Sequence, residues 1–580
     1  MSFLAWFPWI NLLCTGIAAA AWYITPGLGA WPLLLAVIPW LIRLERTGHW
    51  DWRTPYDWPF LLFLITAAVA IWSAYDRTAA LAKFWMILAA VLIFYAFVAF
   101  NLPGSSYQGR NWGTVPAWFL AAFGVVLTFY FLATHDWQEY PTKIAFLDAL
   151  GRAIQAPLPH IPGHRLNPNV IGGMLAMVVP FTAAVTWISA KARRWLHLAA
   201  ALAILSVTLF GLLLTYSRGA WIALAAAFTL LGFWWLAGLF SHGRPGRRRF
   251  VFLAILLLIA VLILLVVILR PDLPARLLNN LPRLSGESTR LELMRNSLDL
   301  VQDYPIIGAG LSSFPMLYAS YAFLTHVAFI VHAHNMYLDI AIEQGLFGLL
   351  ALIWMWLIFA LVLWRKAGRD KLKPWLIAAA MALATMLIHG LVEDAFYGSR
   401  ALVLFFTPLA FSMPYPRPST APSPITTKLV FLALGAALII VLGVIFWRPL
   451  QSSAISNLAA VRQSQAELSL YSFPEWPIQD ALRREIDLAP VIAGYEKALA
   501  INPGNTSANR RLGQIELSLG QYESVLSHLQ SAYSAMTWDN AARQLYGEAL
   551  IVNGLVDEGT ALWQQVNDQQ GQLSYREFWY

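Results

Sequence analysis

The residues best suited to chemistry lie in the stretch 331–348, VHAHNMYLDIAIEQGLFG, where His332 and His334 precede a long apolar run. Asn335 is a residue type that starts helices, and apolar side chains then recur at helical spacing. Both histidines are therefore expected at the mouth of a helix and not in its middle. An imidazole titrates near neutral pH and can take a proton from an attacking hydroxyl. His334 is the predicted catalytic base.

Charged residues between the apolar runs form the second set of candidates. They are Arg165, Arg218, Arg290, Arg295, Glu393 and Asp394. A guanidinium binds phosphate through two hydrogen bonds and keeps its charge in a low dielectric, so several arginines together predict a diphosphate site. No DxD-type carboxylate cluster stands at an outer end of a predicted span, so we expect no metal there. With a histidine base, these residues predict transfer of a group from a lipid-linked diphosphate to an alcohol.

The composition determines which elements must position these residues. The chain has 580 residues, of which 59% are hydrophobic and 12% charged, and its mean hydropathy is +0.59. A spanning helix needs about 20 mostly apolar residues, and roughly thirteen such runs precede residue 450. We therefore predict an all-α, polytopic membrane protein of about 12–13 transmembrane helices and exclude a soluble globular enzyme.

Cysteine and charge usage exclude further classes. Cys14 is the only cysteine, so a disulfide framework and a thiolate metal cluster are excluded. The net charge is +8, but the basic residues fall in short clusters between apolar runs. This pattern indicates membrane topology and not a nucleic-acid partner. The first run has no charged segment before it and no cleavage site, so it is predicted to be a span and not a signal peptide.

Basic residues also predict which loops face the cytoplasm. The predicted spans are 3–24, 28–42, 58–75, 80–100, 114–134, 168–190, 197–216, 218–240, 250–269, 336–364, 375–392, 400–413 and 427–447. Every second loop is basic, including 191–194, 244–249 and 365–373, and the positive-inside rule places these loops in the cytoplasm. The N-terminus is then cytoplasmic, and the long loops 135–167 and 270–335, with both histidines, lie outside.

Each long outer loop contains one predicted helix. Residues 142–156, TKIAFLDALGRAIQA, have one apolar face and are predicted to lie on the membrane surface. In the second loop, Thr289 and Glu292 have capping-box spacing, and an apolar stripe follows until Tyr304-Pro305 ends the helix. Arg290 lies in the first turn of that helix.

The region after residue 450 is polar and repetitive. Four small residues recur 34 positions later: Ala498, Ala508, Gly513 and Gly520 correspond to Ala532, Ala542, Gly547 and Gly554. This period is typical of tetratricopeptide repeats. We predict a transmembrane domain at 1–450 and an extracytoplasmic, tetratricopeptide-like α-solenoid at 451–580, joined by a Pro/Ser-rich linker at 414–426. The solenoid should present a concave surface to a protein partner.

Three sequence blocks, in their order and spacing, resemble the O-antigen ligase and O-antigen polymerase superfamily. They are TYSRGAW at 215–221, RLELMRNSLDLVQDYPIIGAGLSSF at 290–314, and HAHN, nine residues and GLFG at 332–348; NPN at 167–169 also fits. The resemblance covers roughly residues 55–413. It implies a glycosyltransferase of the bacterial cytoplasmic membrane that moves a glycan from undecaprenyl diphosphate to an acceptor hydroxyl on the outer face, with inversion and without metal or cofactor.

The resemblance also implies roles for individual residues. Arg218 and Arg290 would hold the diphosphate, and His334 would be the base. Four weaker candidates rest on location: Arg165 and Arg295 for the diphosphate, and His332 and Asp394 for the acceptor side. The acceptor itself, whether a glycan, a lipid or a protein, stays open.

Alternatives remain at this stage. Within the superfamily, the chain could be a repeat-unit polymerase or a protein O-oligosaccharyltransferase. Outside it, a lipid or polysaccharide transporter would place ionisable groups at mid-span, where this sequence has few besides His389. Each candidate residue also has a structural interpretation: His334 as an interfacial residue, Arg218 as a membrane anchor, and Asp394 as a partner of Arg400.

Overall fold

The computed structural model describes residues 3–48, 53–107, 112–142, 144–157, 161, 167–242, 244–270, 272–273, 290–322, 330–368, 372–413, 443, 446–469, 479–566 and 572–579. Within these residues the regular elements are helices, and there is no β-strand. The all-α fold class predicted from composition is confirmed.

The helices up to residue 413 are, in chain order, α1 (Phe3–Ile24), α2 (Trp31–Thr47), α3 (Asp57–Ser73), α4 (Arg77–Val98), α5 (Thr114–Thr134), α6 (Ala145–Gln155), α7 (Pro168–Lys191), α8 (Trp195–Leu214), α9 (Arg218–Phe240), α10 (Pro245–Leu269), α11 (Arg290–Asp303), α12 (Phe314–Tyr321), α13 (Met336–Ala367), α14 (Pro374–His389) and α15 (Thr407–Ala410). The helices predicted in the two long loops are therefore present as α6 and α11.

Eight of the described helices are long and apolar enough to cross a membrane: α1, α4, α5, α7, α8, α9, α10 and α13. The apolar helices α3 and α14 and the segment Arg400–Ala410 are shorter. These elements confirm a polytopic membrane protein. The predicted last span, 427–447, lies almost entirely outside the described residues.

Two predicted spans are not continuous helices. α13 is interrupted at Gly345, whose φ of 71° is left-handed, and Leu346 N–H donates there to the Pro305 carbonyl (2.9 Å). The predicted span 400–413 is instead a 3-10 helix, Arg400–Leu404, followed by the single turn of α15. Pro408, in the first turn of α15, has no N–H to donate to the preceding turn, so the two elements do not form one continuous helix.

α7 lies at the centre of the bundle, where it packs against α5, α8, α9 and α14. Most of its side chains are buried, whereas no residue in the apolar window of α10 is buried. An exposed helix of such high hydropathy is expected to face lipid.

Basic loops and the two histidines lie at opposite ends of the bundle. At one end Arg248 donates to the Trp234 carbonyl (3.0 Å) and Arg249 to that of Trp364 (3.2 Å). These contacts join the C-terminal end of α9, the start of α10 and the end of α13. The other end holds the starts of α7, α9 and α13.

The C-terminal helices are α16 (Trp447–Leu468), α17 (Gln479–Glu485), α18 (Ala489–Ile501), α19 (Thr506–Leu519), α20 (Tyr522–Ala535), α21 (Asn540–Val552), α22 (Val556–Trp563) and α23 (Gln572–Trp579). α21 begins 34 residues after α19, and α22 begins 34 residues after α20. The capping side chains of Asn505 and Asp539 have the same offset. The helix starts thus follow the period of the sequence, while the tetratricopeptide assignment itself stays a prediction.

The C-terminal helices pack against α11 and α12 of the same chain. Leu300, Tyr304 and Leu317 share one buried apolar cluster with Tyr495 and Leu512. α11 contacts both α16 and α19. Part of the surface of the C-terminal helices is therefore covered by residues 290–322 of this chain, while the predicted protein partner stays a prediction.

Candidate functional site

His334 is held at the mouth of α13 by its neighbours. The Asn335 side chain accepts hydrogen bonds from the N–H groups of Tyr337 and Leu338 and so caps the helix. Met336 N–H donates to the Gly390 carbonyl (2.9 Å), which fastens this mouth to the segment after α14. His334 has a φ of +50°, a conformation that is costly for a non-glycine residue and is concentrated at functional sites.

The His334 side chain is bonded to a buried carboxylate. His334 Nδ1 lies 2.8 Å from Glu393 Oε1, and the Glu393 side chain is only 2% exposed. With Nδ1 engaged in this way, Nε2 is the nitrogen that remains to exchange a proton with a substrate. The pair has the geometry of an oriented histidine base.

Three more residues converge on Glu393. Asn169, in the first turn of α7, donates to Oε2 (2.9 Å). Arg290 Nη2 lies 3.2 Å from the same oxygen. His332 Nε2 lies 3.5 Å from Oε1, and its ring packs against that of His334 with a centroid distance of 4.4 Å. One carboxylate therefore joins α7, α11, the residues before α13 and the segment after α14.

The charge state of this carboxylate follows from its partners. Burial alone would raise the pKa of Glu393, but the hydrogen bond from His334 and the adjacent His334, His332 and Arg290 side chains lower that pKa to about 2. Burial also lowers the pKa of His332, against the opposing effect of Glu393. The site therefore holds a fixed negative charge beneath an imidazole pair.

Arg290 is engaged within the chain. Besides its contact with Glu393, its Nη1 donates to the Val392 carbonyl (2.6 Å). Its side chain as a whole is 21% exposed, although its Nε is buried. Arg290 thus lies close to the base and supports the carboxylate that orients it, while its role as a diphosphate ligand stays a prediction.

Arg218 lies at the mouth of α9, beside the same cluster. Gly219 packs on His389 and Val392, and a Cβ at Gly173 would collide with Ala395 and His389. Small residues at these positions let α7, α9 and the segment after α14 approach closely. Arg218 is exposed, and no acidic side chain among the described residues forms an ion pair with it. Its charge is available to a ligand.

Other predicted site residues are placed differently. Arg165 lies outside the described residues. Arg295 is exposed on α11, and none of the described hydrogen bonds or ion pairs joins it to His334 or Glu393. Asp394 is fully buried. It forms no described ion pair with Arg400, whose guanidinium instead lies over the Tyr23 ring.

Glu393 is the residue whose role the sequence did not predict. It is one of two adjacent acids after an apolar helix, and of these two charged candidates only Asp394 was assigned a role, on the acceptor side. The available signal was the acidic pair itself, because carboxylates are rare so close to a membrane span. Nothing in the sequence indicates which of the two faces His334.

His332, His334 and Glu393 are also the residues that could hold a metal ion. One ligand atom from each lies within 4.8 Å of the others. In the present geometry His334 Nδ1 bonds directly to Glu393, and Arg290 occupies the other oxygen. These contacts fit a hydrogen-bonded pair, His334 and Glu393. A bound cation would have to displace some of them and would lie near the Arg290 guanidinium.

A comparison with known families bears on this arrangement. Residues 201–353 match the family model of O-antigen ligase. The matched segment contains Arg218, Arg290, His332 and His334, and it ends before Glu393. No curated protein and no solved structure matches the chain. The O-antigen ligase match supports membership of that superfamily and makes a membrane glycosyltransferase-like enzyme plausible.

Proposed function

We propose that the chain transfers a glycan from a polyprenyl diphosphate, such as undecaprenyl diphosphate, to an acceptor hydroxyl on the outer face of the bacterial cytoplasmic membrane. The observation that carries the proposal is the His334–Glu393 pair, at 2.8 Å, beside Arg290 and the exposed Arg218. A base and two cations at the same end of the bundle suit an alcohol that attacks beside a diphosphate leaving group.

The chemical step uses these residues directly. His334 Nε2 takes the proton of the acceptor hydroxyl, and the acceptor oxygen forms a bond to the anomeric carbon. The bond from that carbon to the diphosphate oxygen breaks, and the polyprenyl diphosphate leaves with the electron pair. Arg218 and Arg290 stabilise the charge that develops on the leaving group. Attack opposite the leaving group inverts the anomeric configuration, and the step needs no metal.

The orientation in the membrane is part of the proposal. The basic loops are at the end of the bundle opposite His334, which supports a cytoplasmic N-terminus and a site on the outer face. The C-terminal helices pack on α11, at the end where His334 lies. They are therefore proposed to be extracytoplasmic.

The proposal is tested with the full chain in membranes of its host. His334→Ala should abolish transfer of glycan from the lipid diphosphate. Transfer at the wild-type rate would refute the assignment of the base. Removing the protein from the host separates two activities. Shortened envelope glycans would indicate a repeat-unit polymerase, while unattached chains of full length would indicate a ligase, with either a glycan, a lipid or a protein as acceptor.

A further inference from the structure

A cavity adjoins His332 and His334. It is a cavity of about 420 Å³ between α1, α4, the start of α13 and the residues 397–402. His332 lines this cavity and also approaches Glu393 Oε1. Arg290 contacts the other oxygen of that carboxylate. The cavity therefore approaches Glu393 on the side of Oε1, through His332, whereas Arg290 lies on the side of Oε2. We call the latter the arginine side.

The charges that line the cavity balance. Two are basic, Lys83 and Arg400, and two are acidic, Asp339 and Glu343. Lys83 Nζ lies 2.7 Å from Glu343 Oε2 and 3.8 Å from the centre of the Tyr397 ring. A site for a diphosphate needs an excess of positive charge, so this cavity favours a ligand that is neutral and polar.

One buried wall of the cavity needs hydrogen-bond donors. Asp339 is 1% exposed, and its Oδ1 accepts from the Ala333 N–H (2.9 Å). Its side chain also interacts with the buried Asp394 carboxyl. Among the described residues, no N–H or hydroxyl group of another residue donates to Asp339 Oδ2 or to either Asp394 oxygen. Buried polar atoms are almost always hydrogen-bonded, so a ligand rich in hydroxyl groups fits this wall.

The remaining walls supply apolar surface. Trp22, Tyr23 and Phe314 line the cavity beside its charged residues. Apolar rings with a few fixed polar groups are the usual lining of a small-molecule site, and the volume falls in the range of roughly 300–1,000 Å³ found for such sites. A sugar ring presents both hydroxyl groups and C–H faces.

We propose that this cavity is the acceptor subsite and binds the sugar that carries the attacking hydroxyl. The inference rests on the proposed function, because the arginine side is there assigned to the donor's diphosphate. Asp339 accepts a hydrogen bond from the bound sugar, and the reacting hydroxyl points past His332 towards His334.

Binding is measured without any transfer reaction, so failure of the subsite is distinct from failure of the proposed function. The purified full chain in lipid nanodiscs is titrated with the methyl glycosides of glucose, galactose and N-acetylglucosamine, and contact is detected by saturation-transfer NMR. Ala82→Phe and Ala79→Met fill the cavity from α4. Leu81→Phe, on the exposed neighbouring position, is the matched control, and the melting temperature of each variant verifies folding.

At least one glycoside should bind to the wild type and to Leu81→Phe, with a dissociation constant about tenfold higher in each filled variant, a loss of about 1.4 kcal/mol. In the transfer assay, that glycoside should compete with the acceptor and not with the donor. Absence of binding by all three glycosides, equal binding by filled and control variants, or competition with the donor would each overturn the acceptor subsite. His334-dependent transfer would stand in all of these cases.

Discussion

Asp303 at the end of α11 and Arg510 in α19 form a buried ion pair, with 2.7 Å between Asp303 Oδ2 and Arg510 Nη2. Arg510 also donates to the Tyr321 carbonyl (2.8 Å), and Ser507 donates to Asp303 Oδ1 (2.6 Å). The C-terminal helices therefore hold the same helix whose first residue, Arg290, reaches Glu393.

Arg510→Met should destabilise the chain, because it leaves Asp303 buried without its closest cation. Removing one partner of a buried ion pair costs about 3–5 kcal/mol. We expect a lower melting temperature and slower transfer, since α11 carries Arg290. Arg462→Met, an exposed arginine of α16, is the control, and equal melting of the two variants would show that the ion pair does not fasten α11.

Glu393→Gln should reduce the transfer rate by about 10²-fold or more, with little change in either KM, because the carboxylate orients the base and does not bind substrate. Steady-state kinetics on the purified chain measure both constants. Glu496→Gln, at an exposed site on α18, serves as the control. A wild-type transfer rate for Glu393→Gln would show that Glu393 does not orient the base.

Removal of divalent ions should leave the transfer rate unchanged, because His334 and Glu393 contact each other directly through a hydrogen bond. The measurement is the transfer rate before and after treatment with a chelator. Loss of activity that returns on adding a divalent ion would instead assign His332, His334 and Glu393 to a metal centre.

Arg218 and Arg290 should differ in their kinetic effects. Arg218→Ala removes a cation with no described acidic partner, so the KM for the lipid diphosphate should rise about tenfold, with partial rescue by lysine. Arg290→Ala should also lower kcat, because Arg290 supports Glu393 as well. Arg194→Ala, exposed at the opposite end of the bundle, is the control. Identical effects of both substitutions would contradict the separate roles.

The lowered pKa of Glu393 predicts a specific pH dependence of stability. The carboxyl titrates at about 2 instead of 4.5, so its ionised form favours the folded state by about 3 kcal/mol above pH 4.5, and this contribution is lost as the pH falls towards 2. Glu393→Gln should thus lower the free energy of unfolding at pH 7 and cost progressively less below pH 4.5. Denaturation of both chains at pH 7, 4.5 and 3 measures this difference. A constant difference across that range would contradict the assigned charge.

Gly345→Ala should destabilise the interruption of α13. The left-handed φ of 71° costs about 1–3 kcal/mol for other residues, and a new Cβ would collide with the Ile306 carbonyl. Gly232→Ala in α9, where a Cβ meets open space, should be neutral or slightly stabilising. Thermal unfolding distinguishes the two, and a neutral Gly345→Ala would mean that this backbone can relax.

Local pattern was sufficient to predict much of the molecule. Three predicted features depend on residues close together in sequence: the helix start at Asn335, the helix that begins at Arg290, and the helix before residue 156. Hydropathy and charge likewise predicted a polytopic bundle, because a membrane requires long apolar helices regardless of how they pack.

The contacts that complete the site were not predictable in this way. Glu393 meets His334 across 59 residues and Arg290 across 103, and such pairings depend on how helices pack. The interruption at Gly345 arises because the backbone of residues 305–310 pairs with α13, a tertiary effect that helical periodicity conceals. The packing of the C-terminal helices on α11 has the same origin.

The separation of Asp303 and Arg510 by 207 residues has a consequence for the order of events during synthesis. Ribosomes add about 5–20 residues per second, so α19 follows α11 by roughly 10–40 s. Until then the helix that carries Arg290 lacks the partner surface that α19 supplies. The contacts that hold α11 are therefore complete only after α19 has been made, so we expect a chain terminated before α19 to insert its spans and remain inactive.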